Sequence, residues 1–187
     1  MQINNTFFLE IVTIKGKNFE KYITNEEIAS IVITLSKRIN EDYHNKEIYF
    51  LVVLNGAFIF AADLLKNIEG FPQINFIKIS SYSGLSSGGE VNELIGLNED
   101  IKNKHIIIIE DIVDTGNTME GLLKMLRAKR PSSMEICTLM FKPNAFQKEF
   151  PIKYIGKEIS DEFVIGYGFD YDGYGRNLKD IYQLKIK

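Results

Sequence analysis

One cysteine in 187 residues, Cys137, rules out a disulfide framework and fits a reducing compartment. It lies between Ile136 and Thr138 in an apolar run, where a buried structural thiol is expected rather than a nucleophile. Positive charge is also scarce: 22 Lys and Arg against 25 Asp and Glu leave a net charge of -3. Such a chain lacks the footprint of a non-specific nucleic-acid binder, so any anionic ligand must be held locally. The first ten residues, MQINNTFFLE, carry neither a basic leader nor a long apolar stretch, and no secretory signal is expected. The longest apolar run, Ile48 to Leu54, falls far short of the roughly 18 residues of a membrane span. Low-complexity tracts, internal repeats and linkers are missing as well. A single cytoplasmic domain over residues 1–187, with no membrane partner, is the expectation.

Strand and helix signals alternate. Thr24 followed by Glu27 is a capping box, and Ile28, Ile31, Val32, Leu35 and Ile39 recur at helical spacing. EIYFLVVL (47–54) has the continuous apolar character of a strand covered on both faces. Asn55-Gly56 breaks it before the short helical stretch AFIFAADLL. INFIKIS (74–80) predicts the next strand and runs into SYSGLSSGGEVNEL, which predicts a long mobile loop. Further strands are expected at 105–110, 134–141 and 163–167, with a helix through Met119, Leu122, Leu123 and Leu126 ending before Pro131. The pattern predicts an α/β fold with a mostly parallel central sheet flanked by helices on both faces. Ligands of such sheets bind beyond the carboxyl ends of the strands, here Leu54, Ser80, Glu110 and Phe141.

The densest chemistry lies in IIIIEDIVDTGNTM (106–119). Glu110 and Asp111 stand at the end of an apolar strand, and Asp114-Thr115-Gly116-Asn117-Thr118 leads into a helix whose first N–H groups lack intrahelical partners. Gly116 lets backbone approach an anion, and Thr115 and Thr118 add hydroxyl donors. Phosphate in the turn and acids beside it suit a sugar phosphate, whose hydroxyls need acceptors. The plainer alternative is a helix capped by Asp114 and two solvated acids. A Walker loop is excluded, because the required Gly-Lys-Ser/Thr is missing.

This stretch resembles the phosphoribosyl pyrophosphate signature of the type I phosphoribosyltransferases. The resemblance extends to the hypoxanthine (6-oxopurine) members through LVVLNGAFIFAADL, SSYSG, TLMFKPN and FVIGYGFDYDGYGRNL, which together span roughly residues 51–178. It implies the family fold, including a small hood formed by the terminal segments, and transfer of a 5-phosphoribosyl group to hypoxanthine, with guanine as a second base. It also implies the cofactor Mg2+ and a homodimer or homotetramer.

The same resemblance assigns roles residue by residue. Glu110 and Asp111 would accept from the ribose 2'- and 3'-hydroxyls, and the backbone of 114–118 would hold the 5'-phosphate. Asp114 would be the catalytic carboxylate near purine N7. Lys142 would donate to the 6-oxo oxygen, Phe163 would stack on the base, and Val164 would read its edge through the backbone. Asp170 would contact a pyrophosphate-bound magnesium and help recognise guanine, with Glu110 and Asp111 as further metal contacts. Leu54, Asn55, Gly56 and Arg176 would bind pyrophosphate; many relatives carry lysine where Asn55 stands, beside a non-proline cis peptide. Ser81 and Tyr82 would belong to a lid over about 81–93. Each residue also has a plainer identity: Lys142 as an exposed strand-end lysine, Phe163 and Val164 as apolar strand residues, Asp170 and Arg176 as a surface salt bridge, Tyr82 as one tyrosine of a polar loop. His44 and His105 are isolated and receive no metal role. Two other functions remain open, a nucleotide-sensing RNA-binding regulator of the same fold and a transferase for another base such as xanthine.

Overall fold

The computed structural model describes residues 10–81, 91–97 and 99–185. Among them, six strands form the main sheet in the order β5-β4-β3-β6-β7-β8: β3 (Ile48–Leu54), β4 (Gln73–Ser81), β5 (Val91–Ile95), β6 (His105–Val113), β7 (Ser133–Phe141) and β8 (Tyr154–Glu158). All neighbours are parallel except β4 and β5, which pair antiparallel. β5 falls in the second half of the stretch expected to be a loop.

The isoleucine run that opens β6 is explained by the two-residue period of a strand. Ile107 and Ile109 enter one core with Phe50 and Val52 of β3, beneath helices α1 (Asn25–Asp42) and α2 (Phe58–Leu65). Ile106 and Ile108 enter the other with Tyr49, Leu51 and Val53, beneath Met119, Leu122, Leu123 and Leu126 of α3 (Asn117–Arg127). All four isoleucines are fully buried. Each contributes ~1.5–3 kcal/mol, enough to anchor the strand rigidly under the polar residues that follow. α1 begins at the expected cap, where the Glu27 N–H donates to Thr24 Oγ1 at 3.2 Å.

The chain moves outward from β3 in both directions, to β4 through α2 and later to β6, so the strand order reverses between β3 and β6. That switch point is where an open α/β sheet binds ligand. Pairing of β3 with β6 stops at Val52 and Ile109, whereas β6 continues along β7 to Val113 and Phe141. β6 runs three residues past the end expected at position 110, so Glu110 and Asp111 lie within it, on the stretch that no longer pairs with β3.

A second, antiparallel sheet in the order β1-β2-β10-β9 is built from both ends of the chain: β1 (Ile11–Ile14), β2 (Lys17–Ile23), β9 (Val164–Ile165) and β10 (Ile181–Leu184). The strand expected at 163–167 is thus only two residues long and belongs here. Gly166, at φ +96°, and Tyr167, at φ +49°, turn the backbone out of the strand. Phe19, Ile165 and Tyr182 form the core of this small sheet, which holds the 163–176 segment against the carboxyl end of the main one.

Candidate active site

Two adjoining cavities occupy the switch-point end of the sheet. One of about 100 Å³ is lined by Glu110, Ile112, Val113 and residues 114–119. The other, of about 250 Å³, is lined by Asp111, Ile112, Asp114, Lys142, Phe163, Val164, Phe169 and Asp170. Ile112 and Asp114 belong to both, so a ligand with two unlike halves can lie across them.

The first cavity ends on the start of α3. Gly116 is the helix cap, at φ +83°, and no side chain caps the helix. The plainer reading of Asp114 as a cap is therefore wrong. Its carboxylate instead receives Lys142 Nζ at 3.1 Å. Only a long 3.5 Å contact from the Asn117 N–H to Thr115 Oγ1 touches the first N–H groups of α3, which otherwise remain available to an anion.

Glu110 is only 9% exposed. Burial pushes its carboxyl well above the usual range, and the Asp111 charge beside it adds to the effect. Burial also raises Asp111, while bonds from its neighbours and the Arg176 charge pull the other way. Asp111 Oδ1 accepts from the Ile112 N–H at 2.9 Å, and Glu110 Oε1 accepts from the Asp111 N–H at 3.2 Å. A buried and a half-buried acid held by little but their own backbone suit a partner that brings hydroxyl donors or positive charge.

Lys142 was open to the reading of an exposed strand-end lysine, but it is only 7% exposed. Its ammonium donates to Asp114 and to the Asp161 carbonyl at 3.4 Å. An ammonium has three N–H donors, which leaves one for a ligand in the larger cavity. Phe163 stands at 45% exposure, edge-on to Tyr171 at 5.8 Å, with Val164 buried next to it.

Beyond β3 the Leu54-Asn55 peptide is cis. Gly56 packs so tightly that a Cβ there would overlap the Asp111 carboxylate, and Gly168 likewise abuts the Gly56 carbonyl. The loop after β3, the acids of β6 and the 163–176 segment are thus wedged together. Arg176 donates to the Gly168 carbonyl at 2.5 Å and pairs with Asp170 Oδ1 at 2.5 Å, while Asp170 Oδ2 accepts from the Gly173 N–H at 2.6 Å. The salt bridge expected as the plainer reading of this pair exists, at the rim of the cavity.

Ser81 is the last residue of β4. Tyr82 and the middle of the expected lid lie outside the described residues. Sequence reasoning missed Ile112, Phe169 and the Asp161 carbonyl; Phe169 sits inside the GYGFDYDGYG segment, but nothing in the sequence marks a backbone carbonyl as a lysine acceptor.

Taken together, a switch-point anion turn, an adjacent pair of acids and a separate planar-ligand cavity define a nucleotide-handling α/β protein. The chain belongs to the family described as phosphoribosyl transferase domain, whose model matches residues 19–172. The hypoxanthine-guanine phosphoribosyltransferase of Staphylococcus aureus (strain Mu50) is 40% identical over 167 residues, covering 89% of this chain and 93% of its own length. A crystal structure of a hypoxanthine phosphoribosyltransferase from Staphylococcus aureus superposes with a TM-score of 0.85 at 40% identity, over 89% of this chain and 91% of that one. The Trypanosoma cruzi hypoxanthine phosphoribosyl transferase gives a TM-score of 0.84 at 34% identity, over 89% and 91%. No described helix is long and apolar enough to cross a membrane.

Proposed function

We propose that this chain catalyses transfer of the 5-phosphoribosyl group from phosphoribosyl pyrophosphate to hypoxanthine, and also to guanine, as a purine-salvage enzyme. The observation that carries the reading is the pair of cavities joined at Ile112 and Asp114: a phosphate turn in one, and in the other a buried lysine facing an exposed aromatic ring.

In this reading the backbone of residues 114–118 takes the 5'-phosphate, and Glu110 and Asp111 accept from the ribose 2'- and 3'-hydroxyls. The diol's donors relieve the two acids that burial raises. The base lies on Phe163 with its edge along the Val164 backbone, and the free donor of Lys142 reaches O6. An amino group at C6 would set donor against donor, and unpaired polar groups of this kind cost factors of about 10⁴ in rate, which rejects adenine.

Base N9 attacks the anomeric carbon as the bond to pyrophosphate breaks, with its electron pair leaving on the pyrophosphate oxygen. Asp114 takes the proton that the base carries at N7 and offers negative charge to the cation-like sugar. Arg176 and the backbone around Leu54, Asn55 and Gly56 receive pyrophosphate. Asn55 supplies no cation, so Arg176 carries that charge on the protein side.

The expected metal is magnesium, and no described cluster of three acidic, histidine or cysteine side chains forms a cage for it. Magnesium prefers substrate oxygens and water, with one or two carboxylates. Glu110 and Asp111 fit such a role, and Asp170 fits once it leaves Arg176. When bound, the ion neutralises charge on the departing pyrophosphate. The proposal includes a cytoplasmic homodimer or homotetramer.

The test is a steady-state assay with phosphoribosyl pyrophosphate and magnesium against hypoxanthine, guanine, xanthine, adenine and uracil. Turnover of hypoxanthine and guanine is expected. Turnover of none of the five bases would reject the enzyme reading.

A further inference from the structure

The phosphate turn is a puzzle of charge. Residues 110–119 hold Glu110, Asp111 and Asp114 and contain no lysine or arginine, yet the proposed ligand brings a phosphate dianion. Lys142 is committed to Asp114 and the base side. With no cation of its own the turn depends on its backbone N–H groups, and the segment after β7 packs against that backbone.

That segment leaves Lys142 and folds back over the turn. Phe146 N–H donates to the Lys142 carbonyl at 3.2 Å and Gln147 N–H to the Thr115 carbonyl at 3.3 Å. The Phe146 ring is fixed edge-on between Phe141 and Phe150 at 5.3 and 5.2 Å. Gly116 faces this cover directly: a Cβ there would come within 2.7 Å of Phe146 Cε2 and 2.8 Å of Lys148 Cγ. The Lys148 stem thus lies on the left-handed glycine of the turn, and its ammonium pairs at 2.7 Å with Glu120 in the first turn of α3. Its side chain is only 19% exposed.

We propose that Lys148, through its stem over Gly116 and its ion pair with Glu120, is a positioning residue for the 5'-phosphate turn. It holds the Thr115-Gly116 backbone in the shape that presents N–H groups to phosphate, with its own charge matched by Glu120. The inference rests on the proposed function, because it requires a 5'-phosphate in this turn. Preorganising the turn lowers the ordering cost of binding, so the effect belongs to the phosphate and not to the base or the sugar.

The experiment compares binding of IMP and inosine, which differ only in the phosphate, by calorimetry on the intact enzyme and on Lys148→Ala and Lys148→Arg. K148A is expected to weaken IMP about tenfold, leave inosine within twofold, and raise KM for phosphoribosyl pyrophosphate more than it lowers kcat. K148R should restore most of the IMP affinity. Equal IMP affinity in K148A and the unaltered protein, or equal loss for both ligands, would overturn the assignment. An unaltered protein that binds IMP no better than inosine would overturn the functional reading beneath it, and the assignment with it.

Discussion

Replacing Lys142 with methionine isolates the group proposed to read the purine. Methionine keeps the unbranched apolar stem and fits a site that is 7% exposed, while removing the charge and all three donors. The partners left behind tolerate the loss, since the Asp114 side chain is 48% exposed and can be rehydrated. The fold should therefore survive, with the melting temperature within a few degrees. A hydrogen bond from a charged donor contributes ~1.5–3 kcal/mol, so kcat/KM for hypoxanthine should fall about tenfold to a hundredfold. Adenine has no such bond to lose, and its ammonium clash disappears, so its kcat/KM should hold or rise. The assay is parallel steady-state kinetics on both bases at saturating phosphoribosyl pyrophosphate. If K142M keeps hypoxanthine turnover within twofold, or loses adenine and hypoxanthine in the same proportion, Lys142 does not read position 6.

Asp114→Asn should lower kcat by about 10²–10⁴ while IMP binding changes only severalfold; turnover near that of the unaltered enzyme would leave Asp114 without a catalytic role. Gly56→Ala must displace the Asp111 carboxylate, and overpacking of this kind costs ~1–3 kcal/mol, so a lowered melting temperature and lost turnover are expected; an unchanged variant would mean that the loop is not wedged as described. Burial raises the Glu110 carboxyl above its usual value of 4.5 in the folded protein. Above that value the folded state holds more protons than the unfolded one, and stability falls as pH rises through the window up to the raised value. Glu110→Gln removes this penalty. The ligand-free variant should melt higher than the unaltered protein at pH 8, with a smaller gap at pH 5, and bind IMP poorly; a variant less stable at pH 8 would contradict the burial argument.

The main sheet was legible because its strands are buried on both faces. Runs such as IYFLVVL and IIII leave helix and strand periods no polar residue to mislead them, and strand length decides the matter. The hood was harder. In β2, KNFEKYI, only Phe19 and Ile23 are buried, and Lys17, Glu20 and Lys21 take three of the remaining five positions. β5, VNELI, is hidden because it is only five residues long and follows directly on a Ser- and Gly-rich stretch that masks it. At the site, chemistry-bearing residues were legible where they fall in one contiguous stretch, as 110–118 do. Their environments were not. Lys142 is buried by Asp114 and Asp161, 28 and 19 residues away, and nothing next to a lysine-proline pair announces that. Asp114 was open to being read as a helix cap because Asp is a common one, whereas Gly116 takes the cap and frees the acid for Lys142. Lys148 carries no sequence signal at all, because its importance comes from lying over a glycine 32 residues earlier in the chain.

The central claim is that one ligand spans both cavities, with its phosphate on the N–H groups at the start of α3 and its diol on Glu110 and Asp111. A crystal structure with bound IMP tests this most directly. The account predicts phosphate oxygens on the backbone of residues 114–118, both ribose hydroxyls on the acid pair, and O6 within hydrogen-bond reach of Lys142 Nζ. Phosphate density elsewhere, with this turn holding only solvent, would contradict it.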